Sequence, residues 1–141
     1  MNGLCVFFLL LLAAVVKSDF DFSNYKEFEH LAGDQREKAI SIFKECMAET
    51  GATHEMMEKS VEGDIPDDIV FKNHLVCIGK KSGFIDENGL HSKEKLKEKL
   101  TLLLGDEGLV DKILDKCFME KGTPQDTAFE LAKCCHKEYH N

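Results

Sequence analysis

Each cysteine beyond residue 18 falls on or beside the apolar stripe of an amphipathic helix, which restricts the fold more than any other feature of the chain. Ala39, Ile40, Phe43, Cys46 and Met47 keep helical spacing behind Asp34, a candidate N-cap with Glu37 three residues on, until Gly51 stops the run. Ile69, Val70, His74, Cys77 and Ile78 share one side of a helix that follows the Pro66 turn and ends on Lys80 and Lys81, where the helix dipole favours cations. Leu109, Val110, Ile113, Leu114, Cys117 and Phe118 form a third stripe, expected to run from Asp106 to Gly122. Ala128, Leu131, Ala132 and Cys135 share the face of a last helix, opened by Thr123 as N-cap and Pro124 at the first helical position. Each stripe must be covered by another element, so bonds between these cysteines would fasten separate helices to one another.

The remaining segments are helical too. Thr53 opens a short helix with Met56, Met57 and Val61, closed at Gly63, and Ser92 caps one carrying Leu96, Leu100, Leu103 and Leu104. A short amphipathic stretch spans residues 23–31, and no strand-like alternation persists anywhere. The fold class expected is all-α: one compact domain of about six helices.

Residues 1–18 read as a secretory signal peptide, because Leu4 to Val16 is apolar, too short to span a bilayer, and followed at once by polar Asp19. The domain would then occupy residues 19–141. Without Lys17 its balance is 17 basic against 26 acidic residues, a net charge of −9. That charge argues against nucleic acid and against stable association with anionic membranes. In an oxidising compartment Cys46, Cys77, Cys117, Cys134 and Cys135 form a disulfide framework before a metal site. The neighbours Cys134 and Cys135 reach disulfide geometry with each other only under strain, so two bonds and one spare thiol is the simplest arrangement.

No enzyme constellation stands out: the chain has no G-x-S-x-G elbow, phosphate loop or H-E-x-x-H pair. It is read as a non-enzyme without cofactor or metal. "DENG", from Asp86 to Gly89, departs from the calcium-loop template and reads as a turn. His136 and His140 lie on a solvated terminus rather than at a metal. His74 reads first as a satisfied interior histidine. If it lined a cavity it would titrate in the physiological range and make ligand release pH-dependent.

The signal peptide, the six helices and the segments "DIPDD", "GFIDENG" and "TAFELAKC" together resemble the insect odorant-binding protein family, in its pheromone- and general-odorant-binding group. That family usually has six cysteines, with bonds joining first to third, second to fifth and fourth to sixth. Cys46, Cys77, Cys117 and Cys134 match the first, third, fourth and sixth, whereas the second falls on Asn73 and the fifth on Gln125. The two absent cysteines would have bonded each other, a pattern similar to the reduced-cysteine ("minus-C") branch. The resemblance implies Cys46–Cys77 and Cys117–Cys134 bonds with Cys135 as a free buried thiol, although periodicity alone leaves Cys134 and Cys135 interchangeable. It also implies a start of the last helix held by packing alone and more mobile than in six-cysteine relatives.

A helical shell around a hydrophobic cavity is the further implication, with Phe43, Met47, Met57, Phe71, Leu75, Phe84, Leu100, Ile113, Phe118 and Leu131 expected to line it. The function implied is a secreted carrier, monomeric or weakly dimeric, that reversibly binds small hydrophobic molecules in sensillar lymph or haemolymph. A chemosensory receptor would be reached only indirectly. The alternatives are a haemolymph or accessory-gland lipid or hormone carrier of the same fold, and a helical interaction or defence protein without a cavity.

Overall fold

A computed structural model of the chain describes residues 33–61 and 63–139; the expected signal peptide, the stretch 23–31 and His140 lie outside these. Among the described residues there are six helices: α1 Gly33–Thr50, α2 His54–Val61, α3 Ile69–Ser82, α4 Lys93–Leu104, α5 Glu107–Cys117 and α6 Pro124–Tyr139. The extended structure among them is one antiparallel bridge between Ile85 and His91.

The helix starts are set by short polar side chains that accept otherwise unpaired first-turn N–H groups. Asp68 accepts from Val70 at 2.7 Å, Ser92 from Lys95 at 3.2 Å, Asp106 from Leu109 at 3.0 Å and Thr123 from Asp126 at 3.0 Å. One end differs from expectation. α5 stops at Cys117 instead of Gly122, because Phe118 takes an extended conformation and the Lys121 N–H is drawn to Thr127 Oγ1 of α6 at 2.8 Å. The intervening residues make the crossing from α5 to α6.

α3 is the central helix, packed against α1 on one side and α6 on another, while α5 packs against both α4 and α6. It therefore buries residues beyond a single stripe: Phe71, His74, Leu75, Val76, Ile78 and Gly79. A Cβ at Gly79 would collide with the Ile85 side chain, so only glycine lets the loop after α3 fold back onto the helix. There the Gly79 carbonyl accepts the N–H groups of Gly83, Phe84 and Ile85.

Two apolar clusters result. The first gathers Phe43, Cys46, Ala52, Met57, Phe71, Leu75, Ile78 and Ala132 around α1, α2 and α3. The second gathers Val76, Phe84, Ile85, Leu96, Leu100, Val110, Ile113, Leu114, Cys117 and Cys135 around α4, α5 and α6, and Ala128 packs against both. Each cluster is bolted by a disulfide. Cys46–Cys77 joins α1 to α3, and Cys117–Cys134 joins the end of α5 to α6, with Cα separations of 5.7 and 5.4 Å. Among the described residues Cys135 is the free cysteine; it is buried, and its surroundings push the thiol up to about 12, through burial first and then Glu138.

Candidate ligand site

The side chains expected to line a cavity divide evenly between the two clusters. Phe43, Met57, Phe71 and Leu75 are buried in the first, with Met47 partly buried at its edge. Phe84, Leu100 and Ile113 are buried in the second, with Phe118 and Leu131 at its edge. The helices thus bring them together as two interior groups flanking α3 and α6. All are apolar, so what they offer a ligand is burial, about 25 cal/mol per Å² of apolar surface removed from water. Methionine adds adaptability, since its unbranched thioether fills irregular gaps.

A polar group sits in the first group. His74 is fully buried, with its ring edge-on to Phe43 at a centroid distance of 5.3 Å. Neither ring nitrogen has a hydrogen-bond partner among the described residues. Burial lowers its pKa to about 4, with the Cys46 backbone opposing the shift. The histidine is therefore neutral across the mildly acidic range, which corrects both expectations for it. It is an unsatisfied interior histidine, and it does not titrate near physiological pH.

The start of α6 also departs from expectation, because packing is not all that holds it. Gln125 Nε2 donates to Asn73 Oδ1 at 3.1 Å, so the two positions where the resemblance would place cysteines pair through their amides. Beside them Lys72 of α3 pairs with Asp67 at 2.9 Å and Asp126 at 3.1 Å. The Lys72 ammonium also lies 4.6 Å from the centre of the Phe129 ring. Asp126 is held below the usual carboxylate range, first by Lys72 and then by Thr123. The start of α6 is thus tied to α3 by an amide pair and a lysine clamp.

Neither of two described grooves is lined by the expected residues. One, of about 500 Å³, runs between α4 and α5 beside Glu94, Lys97, Glu98, Thr101, Leu102 and Glu107. The other, of about 190 Å³, lies where the loop after α3 meets the start of α6. No group of three or more metal-ligating side chains comes together among the described residues, and none of their helices is long and apolar enough to cross a membrane. Sequence reasoning missed Val76, because it lies off the stripe chosen for α3. His91 was missed because it lies in a loop, where periodicity carries no signal.

The description PBP/GOBP family belongs to a family model that matches residues 29–138. The chain belongs to the PBP/GOBP family. Among relatives of this PBP/GOBP chain, the B2 protein of Tenebrio molitor is 39% identical over 97 residues, which cover 69% of this chain and 76% of that protein. The B1 protein of the same organism is 37% identical over 97 residues, covering 69% and 75% respectively. General odorant-binding protein 19d of Drosophila melanogaster is 30% identical over 110 residues, covering 73% of each chain. A solved structure titled as the THP12 carrier protein from yellow mealworm is similar, with a TM-score of 0.56 and 34% identity, covering 65% of this chain and 85% of that one.

Proposed function

We propose that this PBP/GOBP chain is a secreted carrier of the reduced-cysteine type, which reversibly takes small hydrophobic molecules into its interior and performs no chemistry on them. The observation that supports this reading best is the interior itself. It is built from aliphatic, aromatic and thioether side chains on helices tied by two disulfides, with His74 as an unpaired polar group among them. A ligand buried there exchanges water for apolar contact, and one polar atom placed at His74 would fix its orientation. Family membership and similarity to a protein titled as a carrier support the same reading.

The cargo proposed is an odorant, pheromone or other volatile carried in sensillar lymph. The test is displacement of a fluorescent apolar probe. Saturable uptake at one probe per chain is expected, with competition by medium-chain volatiles and weakening in Phe71→Ala and Leu75→Ala. Probe binding that never saturates would favour an interaction protein without a cavity. Transcript enrichment in antennae supports the olfactory cargo, whereas enrichment in haemolymph-supplying tissue replaces it with a lipid or hormone.

A further inference from the structure

Asn88 is followed by Gly89, a pair in which the backbone can attack the side chain, because glycine has no Cβ to shield its nitrogen. The Gly89 nitrogen closes on the side-chain carbonyl carbon of Asn88 and expels ammonia, leaving a five-membered succinimide. Water then opens the ring at either carbonyl, giving aspartate or isoaspartate. In isoaspartate the main chain runs through the former side chain. Asn88 is exposed, so water has access to it. Asn73, by contrast, precedes bulky His74 inside α3, where the helix fixes the backbone.

The turn opposes this attack. The Gly89 N–H donates to the Asp86 carbonyl at 3.0 Å, which occupies the nucleophile. Asp86 Oδ1 accepts the N–H groups of Asn88 and Leu90, both at 2.9 Å, and the Asp86 N–H donates to the Leu90 carbonyl at 3.0 Å. A carboxylate so near also makes the attacking nitrogen harder to deprotonate. Gly89 is buried with a φ of 84°, so close to the Pro124 ring that a Cβ would collide with it. The reaction therefore waits on opening of the turn.

We propose that Asn88 is a site of spontaneous deamidation gated by Asp86, and that its conversion to isoaspartate loosens the start of α6. The isomer carries one more main-chain methylene before Gly89 and a new carboxylate two residues from Asp86. The tight contact at Pro124 leaves no room for the longer loop, so Gly89 moves away from the first residue of α6. The conversion consumes water and releases ammonia, with no change of oxidation state. It does not rest on the carrier reading.

The test is incubation of the full chain in mildly alkaline buffer, folded and in urea, with peptide mapping and isoaspartyl analysis at position 88. Isoaspartate should form there in both, about ten- to hundred-fold more slowly in the folded chain, the factor that one hydrogen bond to a charged group sets on opening. Asp86→Ala should raise the folded rate about ten-fold, and Asn73 should stay unconverted. Hydrogen exchange in the first turn of α6 should be faster in the converted chain. Should Asp86→Ala fail to fold, the natural chain, folded against denatured, still decides. Equal rates in the two states would overturn the proposal, as would no acceleration in folded Asp86→Ala. So would unchanged exchange in α6, or a folded chain still unconverted at position 88 after several hundred half-times of the denatured reaction.

Discussion

Acid should weaken this fold chiefly through His74, and the size of the effect follows from its burial. Above pH 6.5 the imidazole is neutral in both the folded and the unfolded chain, so it makes no difference to stability. As the pH falls below 6.5 the unfolded chain binds a proton there, while the folded chain, with His74 lowered to about 4, does not. Stability thus drops steadily between pH 6.5 and about 4 and levels off below. At 1.36 kcal/mol per pH unit the full loss is about 3 kcal/mol, a large share of the marginal stability of a domain this size. Burial lowers His91 as well, so its contribution has the same sign. The assay is urea denaturation of the natural chain and of His74→Leu at several pH values, followed by circular dichroism. The stability difference between the two should shift in favour of the variant by about 3 kcal/mol from pH 7 to pH 4. Parallel curves across that range would refute the reasoning. Because His74 stays neutral, ligand affinity should be flat between pH 7 and about pH 5.5.

Three further outcomes are expected. Cys46→Ala with Cys77→Ala opens a bridge of sequence separation 31 and should cost about 3–4 kcal/mol; the Cys117 and Cys134 pair, separation 17, should cost about 3 kcal/mol, both read by chemical denaturation. Asn73→Ala and Gln125→Ala should be coupled by about 0.5–1.5 kcal/mol in a double-mutant cycle, and Asn73→Ala should speed hydrogen exchange in the first turn of α6. Cys135 should resist alkylation in the folded protein at about pH 8 and react at once in denaturant.

The helices were legible because their signals are local. Ser92, Asp106 and Thr123 announce starts through side-chain chemistry that the structure uses as such. The end of α5 was not, since it depends on Thr127, on another helix, taking the N–H of Lys121. Stripe periodicity found His74 and Ile78 but passed over Phe71, Leu75, Val76 and Gly79, because a helix packed on two sides buries more than one face; Phe71 and Leu75 came in only through the family resemblance. The pairing of Asn73 with Gln125 was hidden for a different reason. The family resemblance implies cysteines at these two positions, but the amide contact between them exists only in three dimensions. The unpaired states of His74 and His91 likewise depend on what surrounds each ring.

The central claim is that small hydrophobic molecules enter the helical interior, and intermolecular NOEs between an unlabelled medium-chain alcohol and the ¹³C-labelled chain test it most directly. The carrier reading predicts saturable, one-to-one binding, with NOEs to interior side chains such as Met57, Phe71, Leu75, Leu100 and Ile113. Saturation without any NOE to those side chains, or contacts confined to exposed residues such as Ile69 and Met119, would contradict it.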